Sequence, residues 1–191
     1  MYRLFAAFVL VGPLMAAAPA QAAPSPASLN VQGSDLHPAP TLYLDVPETA
    51  KDLVAQDTKH TGVYRGVIRS DTRRFSLSTP GNTVLIAIVS VFRTPAAAHA
   101  SLAITKRLVK TGSPQPGNAP LPSVGVGDEV LGIQGPSPGP DGRVVPTGVV
   151  LFRRHAYTGE LIVFGTTKAF PATQVVRLAR LVDARIVAAS R

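Results

Sequence analysis

The sequence predicts an α+β fold: a single layered domain with a mostly antiparallel sheet and two main helices packed on it. Three observations carry this expectation. Gly148 to Ala189 reads as a hairpin followed by a helix. Val149–Arg154 alternates as a strand, Thr158-Gly159 suits a tight turn, and Leu161–Phe164 returns as a second strand. Pro171 then opens a helix whose Val175, Leu178, Val182 and Ile186 recur at helical spacing. Second, Val84–Phe92 is apolar on both faces, as a central strand covered on both sides should be. Third, 191 residues at 46% hydrophobic and 16% charged suffice for a core and are too apolar for disorder throughout.

The chain opens with the three-part layout of a secretory signal peptide. Arg3 supplies the positive charge, Leu4–Met15 an apolar run broken by Gly12-Pro13, and Ala20-Gln21-Ala22 a small-x-small cleavage site. Residues 1–22 are therefore expected to be removed, and the rest to be periplasmic or extracellular. Residues 23–40, rich in Pro, Ser and Ala, read as a flexible leader, and 41–191 as the α+β domain.

Along that domain, Leu42-Tyr43-Leu44 suggests a short strand and Pro47–Gln56 a short helix with Leu53 and Val54 inward. Gly62–Arg69 alternates as a strand, Ser70-Asp71-Thr72 reads as a turn, and Phe75 and Leu77 point inward. Thr79-Pro80-Gly81-Asn82 is a second turn. After the central strand, Thr94 and Pro95 form an N-cap and first-turn pair. Their helix runs to about Lys110, with Lys106, Arg107 and Lys110 at the negative end of its dipole. Thr111–Gly127 and Gly135–Gly148 are Pro/Gly loops flanking a strand at Asp128–Ile133. Pro95 and Pro171, Leu85 and Leu161, Ile86 and Ile162, and Leu102 and Leu178 are each 76 positions apart, which suggests two similar strand–strand–helix halves.

The chemistry is defined largely by exclusion. There is no cysteine, so disulfides, thiolate metal sites and cysteine nucleophiles are ruled out. His37, His60, His99 and His155 are scattered and never fall at ligand spacing, so no metal is expected. Gly135-Pro136-Ser137-Pro138-Gly139 matches a serine-hydrolase pattern on paper only. The residue after that serine must donate its backbone N–H to the oxyanion, and Pro138 has none. Gly125-Val126-Gly127 lacks the third glycine of a dinucleotide fingerprint and precedes a strand, so no cofactor is expected. Asp128-Glu129 reads as a strand start whose carboxylates point to opposite faces.

The full chain carries a net charge of +8. Loss of Arg3 with the signal leaves a basic body behind an acidic leading segment. The basic cluster Arg153, Arg154 and Arg177, with His155 and Tyr157 nearby, is the candidate anion-binding site, set against a plain solvated surface. No nucleic-acid motif accompanies it.

Several short runs carry a resemblance: Asp45-Val46-Pro47, Val91–Ala98, Val126-Gly127-Asp128-Glu129, Val150–Arg154 and Leu178–Arg185. Their order resembles exported bacterial α+β proteins of unknown function, and the layout is loosely similar to the PsbP/Mog1 sandwich. The resemblance implies export and a layered fold, and transfers no catalytic residue. Together these features predict a non-catalytic binding or interaction domain of the cell envelope or extracellular space. A ligand is expected between sheet and helix or beneath the two Pro/Gly loops. The alternatives are an electrostatic binder of anionic envelope polymers or membrane surfaces, and a hydrolase without a recognisable motif.

Overall fold

The computed structural model describes residues 24–37, 40–77, 83–112, 119–121, 124–139, 141–168 and 170–191. The expected signal segment and the turn at Thr79–Asn82 lie outside them. Seven strands form one antiparallel sheet in the order β1-β2-β3-β7-β6-β5-β4. They are β1 (Thr41–Glu48), β2 (Val67–Leu77), β3 (Thr83–Phe92), β4 (Ala119–Pro120), β5 (Glu129–Pro138), β6 (Val144–Arg154) and β7 (Tyr157–Phe164). The helices are α1 (Pro26–Leu29), α2 (Ala50–Gln56), α3 (Pro95–Gly112) and α4 (Thr173–Ala189). The fold is α+β, as the periodicity predicts. Among the described residues no helix is long and apolar enough to cross a membrane.

Alternation along β3 and β7 decides which helix covers which face. Leu85, Ala87 and Val89, with Leu161 and Val163, are buried against Val175, Leu178, Val182 and Ile186 of α4. The opposite face carries Ile88, Ser90, Thr158, Glu160 and Ile162, and is covered by α2 and α3. The two halves thus share the order hairpin then helix, and Ile86 is the register partner of Ile162. Their helices nevertheless lie on opposite faces, so the repeated order is not a repeated geometry.

Several expectations need correction. The segment read as a flexible leader is docked over its described part: Leu29, Val31 and Leu36 are buried in the core under α4. Asn30, fully buried, donates to Asp71 Oδ2 at 2.8 Å and lies within 3.0 Å of the Ala87 carbonyl oxygen. Arg185 forks onto both carboxylate oxygens of Asp35 at 2.7 and 2.8 Å. Composition hid this because three apolar side chains and a few polar anchors suffice to seat a short segment on a preformed surface.

Pro47 lies in β1, and α2 begins only after Thr49. Thr49 and Asp52 form a reciprocal cap that fixes that start. Tyr64 belongs to a 3₁₀ turn at Thr61–Tyr64, not to a strand. Ser70-Asp71-Thr72 does not turn, because β2 runs straight through it. Asp71 is held by Asn30, Ser70 by Ser90, and Thr72 by Glu48. Gly135–Gly148 is mostly strand, since β5 and β6 pair as far as Pro138 and Val144. Pro136 and Pro138 are tolerated there because β4 pairs only as far as Gln134, leaving no outer neighbour among the described residues that needs their N–H.

The β6–β7 turn is at His155-Ala156, and Thr158-Gly159 lies inside β7. His155 takes the left-handed conformation, φ 51°, with its N–H held by Asp128 Oδ2 at 2.8 Å. Gly159 is needed for space: a Cβ there would overlap the ring of Phe152, its register partner on β6.

Candidate functional site

The arginines singled out in the sequence form an internal network. Arg153 reaches Glu129 at 2.8 Å and Asp128 at 3.1 Å. Arg154 is bidentate on Asp183 of α4, at 2.8 and 2.7 Å, and reaches Asp128 at 3.0 Å. Asp128 and Glu129 therefore converge on one guanidinium, because Asp128 precedes β5 and escapes the alternation of the strand. Glu129 also meets His99 at 2.6 Å. The His99 hydrogen bond leads, followed by that from Arg153, in holding the Glu129 carboxyl below its usual range despite burial. Burial works to raise Asp128, but the His155 N–H and the two arginines outweigh it and lower its carboxyl. Arg177 sits elsewhere, donating to Gln174 at 2.9 Å and to the Asp35 carbonyl oxygen at 2.6 Å. The structure thus does not bring the three arginines together around an open space, and each already holds acceptors of this chain.

The open space lies on the other helical face. A cavity of about 500 Å³ separates β1, β2, β3 and β7 from α2, the 3₁₀ turn and α3. It exists because both surfaces present small side chains where they meet. The sheet offers Ser70, Ser90, Thr72 and Thr158, and α3 offers Ser101 and Thr105. Close packing needs larger groups to fill such a gap. Elsewhere α3 is seated by apolar contacts, with Leu102 clustered with Val149 and Leu151, and Ala98 with Val67 and Phe92.

The floor has two cross-strand rows. Glu48, Ser70, Ser90 and Thr158 are successive register partners across β1, β2, β3 and β7. One step along lie Val46, Thr72, Ile88 and Glu160. Ser70 Oγ and Ser90 Oγ are 2.9 Å apart, and Thr72 donates to Glu48 at 2.7 Å. Ser70 and Thr72, which resembled a turn, therefore belong to this floor, while Asp71 between them faces Asn30 on the other side of the sheet. Leu44, Val46, Leu53, Val63, Ile88 and Phe92 add apolar walls.

Electrostatically the cavity opposes the rest of the chain. Its carboxylic acids are Glu48, Asp57 and Glu160, and among the described residues no Lys, Arg or His lines it. Glu160 has no hydrogen bond or ion pair to any described residue, and burial alone pushes its carboxyl up to about 7. The Tyr64 phenol is pushed up to about 12, first by burial and then by the charges of Asp57, Glu160 and Glu48. Sequence reasoning missed Glu160. The available signal was one acid in the middle of an otherwise apolar return strand, where a structural role would demand a partner. A second hollow of about 190 Å³ lies on the same sheet face, lined by Val109, Ile133, Thr147, Ile162 and neighbours, with no ionisable group among the described residues.

Glu48 and Glu160 stand three strands apart, roughly 14 Å between backbones at the usual strand spacing. Among the described residues, no three His, Asp or Glu side chains gather as metal ligands.

No family model and no curated protein sequence matches this chain. Among solved structures, its fold is similar to that of the extracellular domain of PknH from Mycobacterium tuberculosis. The TM-score is 0.57 at 12% identity, over 86% of this chain and 96% of that one. At that identity the likeness is one of fold.

Proposed function

We propose that this chain is an exported, non-catalytic ligand-binding domain of the bacterial envelope or extracellular space, and that its ligand occupies the cavity between the sheet and α3. The observation that carries the reading is the cavity itself. At about 500 Å³ it falls within the size range of small-molecule sites, and it combines apolar walls with a few convergent polar groups. The fold it shares with an extracellular domain, and the signal-like N-terminus, support placement outside the cytoplasm.

The test is a thermal-shift and native mass spectrometry screen of amphiphilic small molecules against the chain and a Thr105→Phe variant that fills the cavity. The reading expects compounds that raise the melting temperature of the chain and leave the variant unmoved. Compounds that bind both equally, or none that bind at all, would contradict it.

A further inference from the structure

We propose that the cavity selects an organic cation, a protonated amine or guanidinium carried on an apolar body, with Glu160 as its counter-charge. The inference rests on the reading of the cavity as a ligand site and adds the class of ligand.

Three observations point the same way. Glu160 projects into the cavity from the middle of β7, yet no described residue gives it a hydrogen bond or an opposite charge. Glu160 is half-buried, open toward the cavity and shut off from the rest of the surface, and a carboxylate so placed without a protein partner can be paired by a group that enters. Second, among the described residues every charged group on the lining is acidic: Glu160 from β7, Glu48 from β1, which accepts from Thr72, and Asp57 after α2, which is paired with His60 at 2.9 Å outside the lining. This holds in a chain with 19 basic against 11 acidic side chains, so the sign is local to the cavity. Such a field attracts cations and excludes carboxylates and phosphates. Third, beside its hydroxyl groups the wall carries hydrocarbon and aromatic side chains, with Val46, Leu53, Ile88 and Phe92 beside Tyr64. A bare metal ion would gain nothing from that wall, whereas an alkyl or aryl ammonium would bury its body against it. Aromatic rings also favour a nearby cation. Ser90 and Thr158 hydroxyls, one step along the sheet from Glu160, offer acceptors for further N–H groups.

The experiment is calorimetric titration of the chain at about pH 8 and low salt with three matched probes: phenylbutylamine, phenylbutanol and phenylbutyrate. The amine is expected to bind at least about tenfold more tightly than the alcohol, and the carboxylate more weakly than either. In Glu160→Gln, whose fold is checked by its melting curve, the amine should fall to within about twofold of the alcohol while the alcohol itself is unchanged. Equal affinities for amine and alcohol, or a preference for the carboxylate, overturn the cation inference and leave the cavity reading standing. An amine preference that survives Glu160→Gln overturns the role of Glu160. Binding of none of the three overturns the cation inference, and a blank small-molecule screen beside it removes the cavity reading as well.

Discussion

Glu160 stands directly opposite Ile88 across the β3–β7 pair, facing α3, so a carboxylate and a hydrocarbon share the floor of the cavity. Among the described residues lining the cavity, the groups around Glu160 are acidic or uncharged, and His60, outside the lining, is paired with Asp57 at 2.9 Å. Tyr64 comes from the 3₁₀ turn, Glu48 from β1, Asp57 from beyond α2, and Ser101, Thr105 and Leu108 from α3. Its carboxyl sits near 7 rather than the ordinary 4.5 because burial disfavours the charged form. Between those values the folded chain holds a proton that the unfolded chain has released. This group's contribution to stability is therefore complete below about 4.5 and is lost as pH rises through about 7. Water entering the cavity tempers the effect, so Glu160→Gln should stabilise the chain by roughly 1–3 kcal/mol at pH 8 and by little at pH 4. Urea denaturation at the two pH values measures it, and equal gains at both would contradict the assignment.

The same titration governs the ligand. An amine with a pKa well above 8 stays protonated while Glu160 ionises, so its affinity should rise from about pH 5 to pH 8 and then level off. Phenylbutanol affinity should stay flat over that range. An amine curve as flat as the alcohol curve would contradict Glu160 as the counter-charge.

Phe152 and Gly159 form a cross-strand pair in which the ring occupies the space of the missing Cβ. Gly159→Ala should cost about 2–3 kcal/mol, through overpacking. A smaller residue at position 152 should recover part of that loss, so a double-mutant cycle of Gly159→Ala with Phe152→Leu should show coupling. Additive effects would contradict the close approach.

The N-terminal segment is bound through Asn30, Asp35 and Arg185. Burial works to raise Asp35, but hydrogen bonds from Arg185 and the Gln32 N–H outweigh it and keep the carboxyl low. Arg185→Ala should cost about 1–2 kcal/mol, and Asn30→Ala about 2–3 kcal/mol because it strands buried acceptors. In Arg185→Ala, hydrogen exchange should accelerate at residues 26–36 more than in β3. Uniform acceleration would contradict local docking.

Arg154 and Asp183 join the hairpin to α4. Asp183→Ala should cost roughly 1–3 kcal/mol, since it leaves a half-buried guanidinium with Asp128 alone. Asp128 and Glu129, both held low, contribute stability that is present above the usual carboxylate range and lost as pH falls below it. An acid limb in the melting temperature that is shallower in Asp128→Asn would support this; an unchanged limb would contradict it.

Long apolar patterns were the legible part of the chain. β3, α3 and α4 follow from Val84–Phe92, from the Thr94-Pro95 start and from the spacing of Val175, Leu178, Val182 and Ile186. Misreadings arose where polar residues do a job that local pattern does not encode. Ser70 and Thr72 look like a turn because strands seldom turn polar residues toward a helix, and here a cavity receives them. Gly159 looks like a turn glycine because its real partner, Phe152, is visible only after the strands pair. Arg153 and Arg154 look like an anion site because Asp128, Glu129 and Asp183 reach them from other parts of the chain. Glu160 passed unnoticed, since a single acid on a strand has no motif and its isolation is a property of the packed structure.

The most direct test of the central claim is chemical-shift mapping of the isotope-labelled chain during titration with phenylbutylamine. The account predicts shifts concentrated at Val46, Tyr64, Ile88, Thr105 and Glu160, saturating with one ligand and absent in Thr105→Phe. Shifts centred on Arg153, Arg154 and Arg177, or no saturable shifts at all, would contradict it.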